Sequence, residues 1–307
     1  MSSVVSAPVS PSNTRTSHLR PSFVGIVRSE VFKVFHMASF WITLVLLLCF
    51  NAGPYLISLA NQTRFQNSLL NNPLSYWYNE LSINLGVLRV FIGFFLIILT
   101  ATVIGREYQL GTIRVLLARG VGRVQLLLAK IAAIVLLAIA TLLVCLVIQI
   151  IGQLILQLVL TGNFDKLNHL PTDYLYHCWL YLVTILISMG VTILMTAAFS
   201  VLGHSMVFGL SAGLAFFPAD NIANTFMVLG YELTNNDAWK NITAYILGPN
   251  LNQMPAALLP ASLHLDALGS GPLVTVDATH TLLVALVYAV IFAAVALIVT
   301  WRRDVKE

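Results

Sequence analysis

The sequence contains very few charged residues. Only 9% of its 307 residues are Asp, Glu, Lys or Arg, whereas 58% are hydrophobic. Ordinary soluble domains carry roughly 25% charged residues, and so few charges cannot cover the surface of a water-soluble protein of this size. The composition therefore excludes an ordinary soluble domain and predicts an integral membrane protein.

Patterns that build common chemical sites are also missing. No Gly-x-x-x-x-Gly-Lys-Ser/Thr phosphate-binding loop occurs, so we expect this chain not to hydrolyse ATP by itself. The only cysteines, Cys49, Cys145 and Cys178, are widely spaced, and there is no His-Glu-x-x-His motif. These absences predict neither a disulfide framework nor a metal site, and we expect no cofactor to be bound by this chain.

Long apolar runs dominate what the sequence does contain. About 20 apolar residues in a helix cross a hydrocarbon core of about 30 Å, and each run must be helical because its backbone finds no water in lipid. We therefore predict an all-α membrane protein with six transmembrane helices. The predicted spans are residues 38–60, 85–104, 128–160, 177–200, 206–230 and 279–301.

Two of these runs are irregular. The third is longer than a bilayer requires, so it must tilt, extend beyond the membrane or bend. The fifth contains Pro218 and Asp220, which predict a broken or re-entrant segment there. Residues 231–278 are expected to form an outer loop. Asp220 and Arg89 are expected at the outer interface, solvated among the lipid headgroups.

The N-terminal part divides into two segments. Residues 1–21 are rich in Ser, Pro, Thr and Arg and predict a disordered cytoplasmic tail. Residues 22–37 place apolar side chains on one helical face, which predicts a helix lying in the membrane interface. The alternative is a plain cytoplasmic extension of the first span.

The basic residues predict the orientation. Of the sixteen Lys and Arg residues, four precede the first span, five lie between span two and the beginning of span three, and three follow the last span, in residues 302–307. Lys and Arg accumulate on the cytoplasmic side of membrane proteins. Both termini are therefore predicted in the cytoplasm, with 302–307 as a short cytoplasmic tail.

The segment between spans two and three is the most informative part of the sequence. Residues 105–127 form a predicted cytoplasmic segment that is longer than a simple turn and is interrupted by glycines. Such a segment presents a charged, shaped surface to a cytoplasmic partner. The alternative is that its arginines only fix the topology. The segment contains Glu107, Gly111, Thr112, Arg119 and Arg123.

This order of residues resembles the membrane subunits, or permeases, of ABC-2 type transporters. Glu-x-x-x-Gly-Thr is followed by an apolar pair, Arg-x-x-x-Arg and a Lys that opens a long span. The resemblance implies an N-terminal elbow helix, matched by residues 22–37. It also implies short re-entrant helices in the outer loop 231–278. The segment 105–127 is further implied to couple the membrane subunit to a separate ABC ATPase, through contacts of Glu107, Gly111, Thr112, Arg119 and Arg123.

The resemblance also implies the setting of the protein. An exporter of this kind uses ATP and Mg²⁺ bound on the partner ATPase, and its membrane subunit is not catalytic alone. The expected partners are the ATPase, a second permease subunit in a homo- or heterodimer, and the lipid bilayer, with no nucleic acid. The expected location is a bacterial plasma membrane.

Polar and small residues within the spans suggest two further features. Gln149, Gln153 and Gln157 recur every four residues and so share one helix face, where they either join helices or line a transport pathway. Gly209 and Gly213 form a Gly-x-x-x-Gly pattern that favours close helix packing.

Three other functions compete with the exporter. An ion-coupled secondary transporter is disfavoured because few acidic residues fall within the spans. Ser211 between Gly209 and Gly213 resembles a serine nucleophile turn, with His204 and His280 as candidate bases, but neither spacing specifies a catalytic pair. The third alternative is a membrane scaffold without transport activity.

Overall fold

The computed structural model describes residues 22–111, 120–164, 170–260 and 269–302. Most of the described residues are helical, and none of them lies in a strand. The helices are α1 (Phe23–Phe35), α2 (Ala38–Ala60), α3 (Gln62–Asn71), α4 (Pro73–Thr100), α5 (Arg106–Gln109), α6 (Arg123–Thr161), α7 (Tyr174–Gly203), α8 (Met206–Thr234), α9 (Ala238–Thr243), α10 (Leu247–Leu258) and α11 (Ala278–Arg302), and a π-helical turn, Ala101–Gly105, joins α4 to α5.

Six of these helices are long and apolar enough to cross a membrane: α2, α4 together with its extension to Gln109, α6, α7, α8 and α11. The predicted all-α class with six spans is thereby confirmed. Burial differs strongly among them. The most apolar stretch of α4 is 72% buried within the chain and that of α7 is 61% buried, whereas α8 is only 12% buried. The helices α4 and α7 therefore form the centre of the bundle.

Helix α4 begins at Pro73, well before the predicted start of the second span at residue 85. The side chain of Asn72 accepts a hydrogen bond from the backbone N–H of Ser75, and Pro73 occupies the first turn. Both features are typical of a helix N-terminus. As a result, residues 73–84 are helical and include several buried polar side chains.

Helix α6 runs without interruption from Arg123 to Thr161. At 1.5 Å per residue its 39 residues span roughly 58 Å, about twice the thickness of a hydrocarbon core. Of the three predicted ways to accommodate the third run, continuous extension beyond the apolar layer is the one that this unbroken helix favours.

The predicted break in the fifth run is wrong. Helix α8 continues through Pro218 to Thr234. A proline removes only one backbone donor, and neighbouring helices allow transmembrane helices to tolerate the loss. The following segment contains two short helices, α9 and α10, while residues 261–268 lie outside the described part of the chain.

Helix α1 has two apolar faces. Ile26 and Val34 are buried against the bundle, where Ile26 packs with Val121 and Leu126 at the beginning of α6. Phe32 and Phe35, in contrast, are exposed at the surface of the chain. A helix that packs one face on protein and leaves apolar side chains outside suits the membrane interface.

Several elements meet at the same end of the bundle as α1, which we call the α1 end. The ring of Tyr108 in α5 packs edge-on against His204 in the α7–α8 turn, at 5.1 Å between ring centroids. Gly105, at the end of the π-helical turn, lies directly against the backbone of Ser205 and Met206. The start of α6, the end of α4 and the α7–α8 turn therefore form one packed layer.

Candidate functional site

Four charged side chains from three elements meet at the α1 end. The carboxylate of Glu30 in α1 contacts both Lys33 and Lys130, at 2.6 Å each. The carboxylate of Glu107 in α5 contacts the same two lysines, at 3.0 Å each. We call Glu30, Lys33, Glu107 and Lys130 the charged quartet. It joins α1, the start of the segment after α4 and the start of α6.

The quartet is largely removed from solvent. The side chains of Glu30 and Lys130 are 3% and 4% exposed, Glu107 is 15% exposed, and Lys33 is 42% exposed. Its two acids and two bases alternate and sum to zero charge. Buried charges are tolerated when each is paired and hydrogen-bonded, and Lys130 also donates to the carbonyl oxygen of Val103 at 3.1 Å.

Lys33 is the most exposed member of the quartet and lies in α1. Partial burial lowers the pKa of its ammonium, but the hydrogen bonds to Glu30 and Glu107 and their negative charges outweigh burial and raise the pKa above its usual value. Lys33 is therefore fully protonated at neutral pH, and it keeps the quartet electrically balanced.

The predicted coupling residues have different positions in the structure. The carboxylate of Glu107 faces inward to the quartet. Gly111 follows α5 in a left-handed conformation with φ of +67°, which favours glycine. Arg123 is the first residue of α6 and is partly buried. Thr112 and Arg119 lie outside the described residues.

Glu30 is a quartet residue that the sequence reasoning missed. It is the only acidic residue of α1, and it lies on the buried face with Ile26 and Val34, spaced by four residues each. A lone acid at a core-facing helical position is a signal that it has a basic partner. That signal was available, but the identity of the partner, 100 residues away, was not.

Of the three glutamines, Gln149 joins helices. Its side-chain amide donates to Asn51 Oδ1 in α2 at 3.0 Å and to the carbonyl oxygen of Asn84 in α4 at 2.9 Å. Asn51 in turn donates to the carbonyl oxygen of Cys145 at 3.1 Å. Gln157 is fully buried and donates within its own helix, to Thr161 Oγ1.

Gln149 and Gln153 also line a cavity of about 490 Å³ between α2, α4, α6 and α7. Glu80 in α4 lines the same cavity and is only 4% exposed. The sequence reasoning missed Glu80 because it placed the second span from residue 85 onward, so that this carboxylate fell in an outer loop. We call the side of α6 that carries Gln149, Gln153 and Gln157 the glutamine face. It both joins helices and lines a cavity.

A second cavity, of about 470 Å³, contains Arg89 and Asp220 in its wall. The expectation that Arg89 is solvated at the interface is wrong, because it is 6% exposed. Its guanidinium donates to the carbonyl oxygen of Leu251 and to Asn252 Oδ1, and Asp220 accepts from the backbone N–H of Gly248. Both side chains therefore attach α10 to the bundle.

Gly209 and Gly213 lie where α8 approaches its neighbours most closely. A Cβ on Gly209 would lie 2.1 Å from Ser200 Oγ in α7, and one on Gly213 would lie 2.9 Å from Ile97 in α4. Ser211 between them donates to the carbonyl oxygen of Phe208 in its own helix. His280 contacts the carbonyl oxygen of Ala244 through Nε2. These contacts give no support to a serine protease.

Within the described ranges, no group of three or more His, Cys, Asp or Glu side chains could hold a metal ion.

Replacing Gln149 with leucine tests whether this residue mainly joins helices. The change leaves the buried Asn51 Oδ1 without its donor and removes the side-chain donor from the Asn84 carbonyl oxygen, which lies inside α4. We therefore expect a loss of about 1–3 kcal/mol in stability. Thermal denaturation of the purified protein in detergent measures the effect. Gln66→Leu on the exposed face of α3 is the control and should change little. Equal stability of the two variants would contradict the joining role.

The fold and site together define a multi-pass helical membrane protein in which ion pairs join the N-terminal helix α1 to the segment after the second span. A family model described as ABC-2 family transporter protein matches residues 26–213, well over half of the chain. The protein therefore belongs to the ABC-2 transporter family, as a membrane component. Such components are typically non-catalytic. No curated protein matches the chain.

Proposed function

We propose that this protein is the permease subunit of an ABC-2 type exporter in a bacterial plasma membrane. It moves its substrate with energy from ATP, which a separate ABC ATPase binds with Mg²⁺ and hydrolyses. The family assignment and the six apolar helices support a transport function. These 307 residues contain no phosphate-binding loop, so ATP has to be bound and hydrolysed by other residues than these.

The charged quartet is the observation that carries the coupling role. Glu107 lies near the beginning of the segment between α4 and α6, and Lys130 lies in the second turn of α6, after the segment ends. Their direct contact brings the two ends of the segment together. Their contacts with Glu30 and Lys33 attach these ends, which we call the base of the segment, to α1. A displacement of the segment therefore moves α1 and α6 with it.

This arrangement gives coupling a physical basis. ATP can shift the permease between inward-open and outward-open states only if the ATPase makes different contacts in the two states. We propose that four residues contribute to those contacts, because they follow Glu107 in the sequence of the segment. They are Gly111, Thr112, Arg119 and Arg123. Glu107 contributes by holding the base in position.

A second permease subunit completes the proposed complex. The helices α2 and α11 are each only 22% buried over their most apolar stretch, and α8 is buried still less. Such exposed apolar faces suit contact with lipid and with another membrane subunit. Both termini and the coupling segment are proposed to lie in the cytoplasm.

One observation favours the ion-coupled alternative. Glu80 is a buried acid within a membrane-crossing helix, and such residues are common in proton and sodium pathways. The two functions differ in their energy source. Transport that stops when the ATPase is removed supports the exporter, and transport that persists with an ion gradient alone supports the carrier.

The coupling proposal is tested by charge reversal in the segment. The chain is purified from its native cells in mild detergent, so that an ABC ATPase bound to it is recovered in the same complex. Arg119→Glu should release the ATPase or abolish the ATP-driven transport of the complex. Arg64→Glu, on the exposed surface of α3, is the matched control and should leave both unchanged.

Two results would contradict the proposal. In the first, no ATPase co-purifies with the wild-type chain. In the second, Arg119→Glu assembles and transports like the wild type, which would leave the segment without a coupling role.

A further inference from the structure

The cavity lined by the glutamine face has the size and lining of a small-molecule site. Its volume of about 490 Å³ falls within the range of roughly 300–1,000 Å³ that is typical of ligand pockets. Most of the wall is apolar, and aromatic side chains contribute from three helices. They are Tyr55 of α2, Trp77 of α4, and Tyr174 and Trp179 of α7.

Glu80 is the charged group in this wall. Its carboxylate accepts a hydrogen bond from the side-chain amide of Asn84, one turn further along α4, at 3.1 Å. Among the residues that the structure describes, no ion pair links Glu80 to a basic side chain. An acidic side chain buried in a membrane-crossing helix without a basic partner marks a functional site.

Two neighbouring polar atoms are also unsatisfied. Asn84 Oδ1 and Trp77 Nε1 are buried and form no hydrogen bond with the described part of the chain. Both residues line the cavity and are only 5% and 2% exposed. Buried polar groups normally have partners, so the wall beside Glu80 contains polar groups that the described part of the chain leaves unsatisfied.

The cavity is accessible from the side of the bundle. Ile150 and Leu154 of α6 and Leu175 and Trp179 of α7 line it, and all four are also exposed at the surface of the chain. The opening therefore lies between α6 and α7, among side chains that face the hydrocarbon of a bilayer. A ligand that enters here must itself dissolve in the membrane.

We propose that this cavity binds a hydrophobic organic cation, with Glu80 as its counter-ion. The carboxylate supplies the opposite charge, the aromatic rings favour a cation near their faces, and the apolar wall accepts the hydrophobic body. That the bound cation is the exported substrate rests on the proposed function, whereas the binding itself does not.

Binding of tetraphenylphosphonium to the purified, detergent-solubilised chain tests the proposal. Tetraphenylborate has the same shape and the opposite charge, so it separates charge recognition from simple hydrophobicity. We expect the cation to bind the wild-type protein at least about tenfold more tightly than the anion. We also expect Glu80→Gln to weaken cation binding by about tenfold or more, which corresponds to about 1.4 kcal/mol.

The matched control is Glu232→Gln, which removes an exposed carboxylate at the end of α8 and should leave binding unchanged. Failure of the cation to bind, equal binding of the two tetraphenyl ions, or equal effects of the two substitutions would each overturn the proposal. If Glu80→Gln does not fold, the comparison of the two ions on the wild-type protein still decides it.

The test does not depend on the ATPase. Selective cation binding by a chain that recruits no ATPase would refute the exporter and keep the site. An assembled complex whose membrane subunit does not distinguish the two ions would refute the site and keep the exporter.

Discussion

Replacing Lys130 with methionine will cost the protein about 3–5 kcal/mol of stability, because it leaves the buried Glu30 carboxylate with Lys33 as its only partner in the quartet. Glu107 loses a partner in the same substitution. Lys130 contacts both α1 and the segment after α4, so the substitution should weaken the packing of both elements against α6. Thermal denaturation and resistance to proteolysis in detergent measure the loss.

Two variants show whether charge pairing is the cause. Arg28→Met removes an exposed cation from the opposite face of α1 and should have little effect. The double variant Glu30→Leu with Lys130→Met removes one acid and one base and leaves the Lys33–Glu107 pair, so most of the stability should return. A single Lys130→Met variant as stable as Arg28→Met would show that the quartet contributes nothing.

Replacing Gly105 with alanine will have a comparably large effect. The added Cβ would lie 2.5 Å from the Cα and 2.7 Å from the backbone N of Met206, where the α7–α8 turn packs against the π-helical turn. Both obstacles are backbone atoms, so rotation of a side chain cannot relieve the contact. We expect a loss of about 3 kcal/mol, at the upper end of ordinary overpacking costs.

Gly190→Ala in α7 is the matched control. A Cβ at that position meets no atom within 4 Å, and it lies inside a helix like the one at Gly105. Alanine should therefore be neutral or stabilise by about 0.5–1 kcal/mol, because glycine weakens helix interiors. Melting temperatures of the two variants that differ by less than experimental error would refute the close approach.

These two positions have related consequences for transport. Gly105 allows the α7–α8 turn to lie against the end of α4. Glu107, a member of the quartet, follows two residues later. The layer at the α1 end is thus held by one close backbone contact and one set of ion pairs. Under the proposed function, a movement imposed on the segment between α4 and α6 reaches α1, α6 and α8 through this layer.

Part of the site was visible in the sequence, but its geometry was not. The spacing of glycines and charges after the second span singled out Glu107 as a residue with a role. The sequence could not show that its carboxylate meets Lys33, 74 residues earlier, and Lys130, 23 residues later. Such pairing depends on how three helices pack, and no local pattern encodes it.

Glu80 illustrates a different cause. A span was placed where apolar residues are continuous, and the polar and aromatic residues from Pro73 onward did not extend it. In the structure they do extend it, because Asn72 and Pro73 start a helix there and the bundle buries its polar side chains. Hydropathy measures the preference of a segment for lipid, and it cannot register a polar helix face that other helices cover.

The sequence alone determined the class of the protein, the number of its apolar helices and the absence of an ATP-binding loop, because transfer into lipid depends on composition and on length along the chain. Only the tertiary structure decided which charges neutralise each other and which carboxylate lines a cavity. Those outcomes depend on distances between side chains that are far apart in sequence, and packing alone sets those distances.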